Sequence, residues 1–297
     1  MSSLAQADSS TVRSRLSWPG AIPLWQTCIL LALVAWIYTP TLYQLVMQWF
    51  KDPNFSHGFF VPLFSGFVLW QERGRLARLV PDASWSGLAV IALALGLCVL
   101  GLLGAELFLA RSSFILLGVG LVVLFLGWNF FRAMLFPFAV LFLMIPIPVL
   151  LFNKITFPLQ LLASRLASAA LPFLGVPVLR EGNVINLPSM ALEVAEACSG
   201  IRSLMSLVTL AIIYGYFAER RVWVRWLLAA ASIPIAVLAN SVRIIGTGLL
   251  VQYWSADKAE GYFHASWGWI IFVVSLFLLY AVHGLIQLIW KDKESVA

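Results

Sequence analysis

The chain has 297 residues, of which 62% are hydrophobic and 11% charged, and its mean hydropathy is +0.94. An average soluble protein is about 45–50% apolar and about 25% charged, and a soluble globule cannot bury this much apolar surface. The same composition excludes a disordered chain. The net charge of +6 comes from basic residues scattered through apolar sequence, which excludes a nucleic-acid-binding patch. The composition therefore predicts an all-α, polytopic membrane protein.

A helix that crosses a bilayer needs about 20 mostly apolar residues. Eight stretches approach this length: Ile22–Tyr38, His57–Trp70, Gly87–Leu103, Ser113–Gly127, Phe130–Ile145, Gly200–Phe217, Trp226–Val251 and Ser266–Ile289. We expect one integral membrane domain over residues 1–297, with a flexible N-terminus (1–20), a short C-terminal tail (290–297) and no cleaved signal peptide. Glycines such as Gly96, Gly101 and Gly104 favour ordinary close packing of helices.

The region between Pro146 and Ala197 is not a clean span, because prolines and polar residues interrupt it. We interpret Ile155–Leu171 as an amphipathic helix on the outer membrane surface. A ninth span is the alternative, but it would reverse every later loop. The next residues, Glu181–Leu187, combine turn formers with a short alternating pattern, which predicts a small extended segment or hairpin outside the membrane.

The positive-inside rule predicts the orientation. If the N-terminus is cytoplasmic, the inner segments carry eleven of the nineteen Lys and Arg residues, including the pairs Arg73/Arg75 and Arg220/Arg221. The outer segments carry six, of which Arg111 is one. Both termini are therefore expected in the cytoplasm.

Cys198 is a candidate nucleophile, because it lies where the outer segment enters the sixth predicted span. The N-terminal end of a helix stabilises a thiolate, which is the reactive form of cysteine. Arg202 lies one turn further on the same helix face and adds positive charge. The other two cysteines, Cys28 and Cys98, are flanked by apolar residues and are expected to be structural. The three cysteines lack the spacing of a metal site, so no metal or cofactor is expected.

Two further polar residues fall near the outer ends of spans. Arg243 lies within the seventh span, and an ionised arginine at such depth by default faces a cavity or a partner. Asn240 precedes it by one turn and can hydrogen-bond either to Arg243 or to a substrate. His264 lies at the outer start of the eighth span, and a histidine is the usual proton shuttle near neutral pH. His57 also begins a span on the outer side.

A thiolate, a cation for an oxyanion and a proton-transfer group are the parts that acyl transfer requires. Cys198, Arg243 and His264 lie on three different helices, and the predicted topology brings all three toward the outer face. This is an inference from depth, and it predicts a common site without showing contact.

These residues resemble those of the exosortase/archaeosortase family. The resemblance rests on Glu196-Ala-Cys198-Ser199-Gly200-Ile-Arg202-Ser203, Asn240-x-x-Arg243 and His264-x-x-x-Gly268, with Ser56-His57-Gly58 upstream. The archaeal branch has Arg in place of the histidine, so His264 is similar to the bacterial branch. The resemblance implies a multi-pass membrane transpeptidase of the bacterial inner membrane, with its active site toward the periplasm.

The resemblance also implies roles and partners. Cys198 would be the nucleophile, Arg243 the oxyanion-stabilising cation and His264 the proton-transfer residue. Glu196, Ser199, Gly200, Arg202, Asn240 and His57 would bind substrate or support the site. Substrates would be exported proteins with a C-terminal Pro-Glu-Pro motif, a spanning helix and a basic tail. The acceptor would be a surface polysaccharide or lipid.

Two other functions fit parts of the sequence. A rhomboid-like serine protease would use Ser199 and His264, although the first glycine of the Gly-x-Ser-Gly motif is missing and Arg243 has no role. A transporter would use Arg243 and Arg202 to hold an anionic substrate, but it leaves Cys198 without a task.

Overall fold

The computed structural model describes residues 24–188, 190–194, 200–253 and 262–294, and these residues are mostly helical. The α-helices are α1 (Leu24–Lys51), α2 (Phe60–Gln71), α3 (Arg73–Leu76), α4 (Ser86–Leu103), α5 (Leu107–Phe125), α6 (Trp128–Ala133), α7 (Leu135–Leu141), α8 (Val149–Ala170), α9 (Gly200–Ala218), α10 (Val222–Tyr253) and α11 (Tyr262–Glu294). Short 3₁₀ segments occupy Pro53–Phe59, Phe142–Met144 and Leu171–Leu174. Three strands, β1 (Leu179–Glu181), β2 (Val184–Asn186) and β3 (Ala191–Glu193), form one small sheet. The predicted all-α membrane fold with a short extended segment is confirmed.

Within the described residues, six helical segments are long and apolar enough to cross a membrane. They are Leu24–Lys51, Ser86–Leu103, Leu107–Phe125, Val149–Leu174, Val222–Tyr253 and Gly268–Trp290. Two shorter apolar helices, Leu135–Met144 and Arg202–Ala218, correspond to two more of the predicted spans. The chain is therefore a multi-pass membrane protein, although its helices do not match the eight predicted spans one for one.

Arg111 lies within a helix and not on an outer loop, so that expectation is wrong. The side chain of Glu106 accepts a hydrogen bond from the backbone N–H of Phe108 and caps α5, which therefore begins six residues before the predicted start at Ser113. Arg111 falls in the second turn of α5, is 3% exposed, and donates from Nη1 to Oε1 of Gln48 at 2.7 Å.

The fifth predicted span is broken into α6, α7 and the 3₁₀ segment that ends at Met144. α7 runs antiparallel to α2, since the Ser65 hydroxyl donates to the carbonyl of Pro137 at 3.1 Å and the His57 ring approaches the carbonyl of Leu143. α2 in turn runs parallel to α9, because its rings contact Phe217 near the end of α9 while Phe55 of the preceding 3₁₀ segment shares an apolar cluster with Ile212, earlier in the same helix.

α8 runs parallel to α10 and alongside it. Near its start it faces Ala236 and Asn240, Leu171 just beyond its end lies against Gly248, and the hydroxyl of Tyr253 donates to the carbonyl of Leu174 at 3.1 Å. A helix lying flat on the membrane surface would cross α10 at one level only. The expected surface helix over Ile155–Leu171 is therefore replaced by a longer helix that follows a membrane-spanning neighbour.

Three polar residues of α8, Thr156, Gln160 and Ser164, explain the difference, because they face protein, whereas Lys154 and Arg165 are exposed. Thr156 and Ser164 are buried, and the Ser164 hydroxyl donates to the carbonyl of Gly182 in the β1–β2 turn at 3.0 Å. α7 and α10 both run antiparallel to α9, and α8 runs parallel to α10. α8 therefore continues in the direction of α7. The later helices therefore need not be reversed, as the ninth-span alternative would require.

The small sheet covers the ends of α8 and α10. β1 and β2 pair antiparallel around a two-residue turn in which Gly182 has φ of 67°, a conformation that glycine adopts without steric cost. β3 pairs antiparallel with β2. Ile185 and Val194 are fully buried in one apolar cluster with Ile244 of α10. The chain is thus anchored against α10 up to Val194.

α9 and α10 form an antiparallel hairpin with a defined register. A side-chain carbon built on Gly215 would lie 3.4 Å from the Cα of Arg225, so the two backbones are close at the turn. The guanidinium Nε of Arg225 donates to the carbonyl of Glu219 at 2.8 Å. Further along the hairpin, Leu204 lies beside Ala236.

α11 is attached to this hairpin at the turn by a polar cluster. The hydroxyl of Tyr214 lies 2.7 Å from Nδ1 of His283, and Oε2 of Glu219 lies 3.5 Å from Nε2 of the same ring. The other carboxylate oxygen of Glu219 accepts hydrogen bonds from the backbone N–H groups of Arg220 and Arg221. These bonds connect α9, α11 and the α9–α10 turn at one end of the molecule, which we name the Glu219 end. The opposite end, at the start of α9, is the Gly200 end.

Close packing of α4 on α5 generates a stability prediction. A side-chain carbon on Gly87 would overlap the backbone of Leu124, whereas one on Gly96 meets nothing within 4 Å. We expect Gly87→Val to destabilise the protein by about 1–3 kcal/mol through overpacking, with a lower thermal midpoint in detergent. Gly96→Val on the same helix is the matched control and should change the midpoint little. Equal effects of both substitutions would contradict the packing.

The Glu219 cluster generates a pH prediction. The backbone N–H groups of Arg221 and Arg220, together with His283, hold the pKa of the Glu219 carboxyl below its usual range. A carboxyl with a lowered pKa in the folded state contributes stability above its unfolded pKa, and this is lost as the pH falls through the folded value. Glu219→Gln should therefore flatten the loss of thermal stability toward acid pH. Glu72→Gln, which removes an exposed pair with Arg75, should leave the profile close to that of the wild type.

Candidate functional site

The start of α9 lies level with Asn240 and Arg243 of α10. The antiparallel register puts Leu204 of α9 beside Ala236 of α10. One helical turn closer to the Gly200 end, the corresponding residues are Gly200 on α9 and Asn240 on α10. Arg243 follows within one further turn, or about 5 Å. The positive N-terminal end of a long helix and a guanidinium therefore lie at the same level.

The guanidinium of Arg243 lies against α11. A side-chain carbon built on Gly268 would be 3.6 Å from the central carbon of the guanidinium and 3.6 Å from its Nη2. Glycine at this position gives the planar group room to lie on the helix backbone. His264 precedes Gly268 by one turn in the same helix. The structure thus brings Arg243 next to the helix segment that carries His264.

Asn240 lies on the side of α10 that faces α8. Its side chain is 7% exposed, and its Oδ1 has no hydrogen-bond partner among the described residues. Asn240 lines a small pocket with six other described residues of α8, α9 and α10. These are Thr156, Leu159, Gln160, Leu204, Ala236 and Val237.

Several predicted site residues lie outside the described residues. They are Glu196, Cys198 and Ser199. The described chain stops at Val194, in the cluster around α10, and resumes at Gly200, level with Asn240. Gly200 is the first residue of α9, as the sequence predicts for the start of the sixth span. The backbone of His264 belongs to α11, close to the predicted start at Ser266.

His57 and Arg202 have different surroundings. His57 is buried, and its Nε2 lies 3.3 Å from the carbonyl of Leu143 while its ring faces Phe55. It thus lies where the 3₁₀ segment before α2 meets the 3₁₀ segment after α7, and no contact with Arg243 or Asn240 is found among the described residues. Arg202, in the first turn of α9, is exposed.

Sequence reasoning missed the pocket, and in particular the part that α8 plays in it. Thr156 and Gln160 were visible as polar residues in an apolar helix, which was interpreted as a membrane-surface face. Their spacing of four residues places both on one helix face. This face packs against α10. Only that packing shows that the two residues line an internal pocket and do not contact lipid headgroups.

Comparison with known proteins gives one match. A family model described as transmembrane exosortase matches residues 49–281, which is more than three quarters of the chain. The matched range begins near the end of α1 and includes Gly200, Asn240, Arg243 and Gly268. No curated protein and no solved structure matches the chain.

Proposed function

Because the chain belongs to the transmembrane exosortase family, we propose that it is a cysteine transpeptidase that cleaves C-terminal sorting signals of exported proteins. Family membership supports a membrane transpeptidase-like role. The cysteine mechanism, the substrate and the acceptor belong to the proposal, as do the roles of individual residues.

The observation that carries the proposal is the meeting of three helices around Arg243. Its guanidinium lies on α11 at Gly268, one turn from His264, and the register of the α9–α10 hairpin brings Gly200 to the same level. A cation held at a helix N-terminus beside lipid suits a reaction that develops negative charge on oxygen, because a low dielectric strengthens the interaction.

Chain connectivity supports Cys198 as the nucleophile of this site. Two peptide units separate it from Gly200 and span at most about 7.6 Å between Cα atoms. The preceding anchor, Val194, belongs to the apolar cluster that includes Ile244, the residue after Arg243. The helix N-terminus and the neighbouring guanidinium would both stabilise the thiolate.

In the proposed reaction, thiolate Cys198 attacks the carbonyl carbon of the scissile peptide bond. A bond forms between Sγ and this carbon, while Arg243 and N–H groups near Ser199 and Gly200 stabilise the oxyanion. The C–N bond then breaks as protonated His264 gives its proton to the leaving amine. Neutral His264 takes a proton from the acceptor hydroxyl or amine, which attacks the thioester, and the thiolate is regenerated.

The remaining predicted residues have supporting roles in the proposal. Asn240 binds substrate one turn from Arg243. Glu196 orients Arg202 or Arg243, or shapes the substrate groove. His57, packed against the 3₁₀ segment that follows α7, supports the helices behind the site and does not touch the reacting atoms.

The proposed substrates are exported proteins with a Pro-Glu-Pro motif, a spanning helix and a basic tail. The protein would lie in the bacterial inner membrane, with both termini cytoplasmic and the Gly200 end toward the periplasm. An acceptor polysaccharide or lipid would then be reached from the periplasmic face. No metal or cofactor is required by this chemistry.

Single substitutions test the nucleophile. We expect Cys198→Ala to lower processing of a co-expressed sorting-signal substrate by at least about 10³-fold while the enzyme still inserts. Cys28→Ala, an exposed cysteine of α1, is the matched control and should process normally. Processing is measured as a gel shift of the substrate. If Ser199→Ala abolishes cleavage and Cys198→Ala does not, the serine-protease alternative is correct.

The contact between Arg243 and Gly268 yields a second prediction. Gly268→Leu should displace the guanidinium and lower kcat by roughly 10²-fold, as expected for loss of an oxyanion donor. Gly268→Ala adds a carbon at ordinary contact distance and should cost far less. Gly284→Leu, on the same helix with nothing within 4 Å of the new carbon, is the control. Arg243→Lys keeps the charge but loses the planar fork, so an intermediate loss is expected. Full activity of Gly268→Leu would rule out this role for Arg243.

A further inference from the structure

A buried polar atom without a partner marks the pocket between α8, α9 and α10. Oδ1 of Asn240 accepts no hydrogen bond within the described residues, although the side chain is 7% exposed. A buried carbonyl oxygen left unsatisfied costs about 1–3 kcal/mol, so such an atom calls for a hydrogen-bond donor, and a bound substrate can supply one. The pocket beside it is where that donor can enter.

The depth of the pocket relative to Arg243 is defined by α10. Asn240 and Arg243 are three residues apart, and Ala236 lies a further turn away, so the pocket extends from Arg243 toward the Glu219 end by about 5–10 Å. Leu204, one turn inside α9, borders the pocket at the same depth. The pocket therefore lies deeper between the helices than the start of α9.

This depth assigns the pocket to one side of the scissile bond. In the proposed substrate, the spanning helix follows the cleavage site, so the chain after the scissile bond continues into the membrane. A segment whose carbonyl lies at Arg243 passes the pocket with its second and third residues after the scissile bond, since an extended chain advances about 3.4 Å per residue.

We propose that this pocket is a specificity subsite for the leaving-group side of the substrate. It takes a small apolar side chain of the second or third residue after the scissile bond, and Asn240 Oδ1 accepts that segment's backbone N–H. This inference rests on the proposed function and deepens it.

The lining of the pocket matches this ligand. Leu159, Leu204, Ala236 and Val237 offer apolar contact, while Asn240 supplies an acceptor and Gln160 a second amide. Among the described residues, no charged side chain lines the pocket, which disfavours an ionised group. Ala236 is the smallest lining residue and 2% exposed, so its size sets the room available.

Substitutions that change the pocket size test the inference in both directions. The full-length enzyme in lipid is given substrates with Gly, Ala, Leu or Phe at the second or at the third position after the scissile bond. Ala236→Leu should lower kcat/KM for the Leu substrate by roughly 10-fold or more relative to the Gly substrate. Leu159→Ala should shift the preference toward Leu and Phe. Leu238→Phe on α10 and Leu166→Ala on α8, both exposed, are the matched controls and should leave the preference unchanged.

A backbone substitution tests the hydrogen bond. A substrate with an N-methylated amide at the position that responds to Ala236→Leu should lose about 10-fold in kcat/KM with the wild type, because the N–H is gone. Asn240→Leu should cause a similar loss with the parent substrate and no further loss with the methylated one. Such non-additivity shows that the two groups interact.

The outcomes separate the inference from the proposed function. If the wild type cleaves but the size variants shift no preference beyond their controls, the subsite is wrong and the transpeptidase proposal stands. Additive losses from Asn240→Leu and N-methylation would overturn the hydrogen bond, and would leave bound water as the partner of Asn240. A preference that shifts only for residues before the scissile bond would also overturn the assignment. If the wild type cleaves no sorting-signal substrate, both proposals fail.

Discussion

The antiparallel contact of α9 with α10 is the constraint on which the candidate site depends. At the turn, Arg225 donates to the carbonyl of Glu219 and the backbones approach at Gly215, so the register is defined at the Glu219 end. Helices are rigid rods that rise about 1.5 Å per residue, and a register defined at one end therefore persists to the other. This brings the N-terminus of α9 to the level of Arg243, some 20 residues along α10.

Two further helices make this end a site. α11 joins the hairpin through His283 at the Glu219 end and presents Gly268 to the guanidinium of Arg243 near the Gly200 end. α8 lines the other side of α10 and contributes Gln160 to the pocket beside Asn240. The guanidinium of Arg243 and the carboxamide of Asn240 lie within one turn of α10 but face different helices. Arg243 reaches α11, and Asn240 faces α8.

The apolar surroundings make the pairing of each of these polar groups important for the free energy of the fold. In a bilayer a charge or an unsatisfied amide is costly, so such groups persist where protein or a ligand receives them. Arg111 shows the same constraint in another part of the fold, since it is buried and donates to Gln48. Its position inside α5 also shows that a count of charged residues cannot separate a loop from the second turn of a capped helix.

The sequence by itself determined the membrane class, the start of α9 at Gly200 and the candidate residues Arg243, Asn240 and His264. Composition and 20-residue apolar runs are local properties, and they report the solvent that surrounds a helix. Only the tertiary structure decided which helices meet. α8 was predicted to lie on the membrane surface because polar residues interrupt its apolar run, but Thr156 and Gln160 face α10 and Ser164 faces the sheet. Packing likewise decided the contact of Arg243 with Gly268 and the pocket at Asn240. Such contacts join residues far apart in sequence and depend on the register between rigid helices. They therefore leave no periodic signal in the sequence of any single helix.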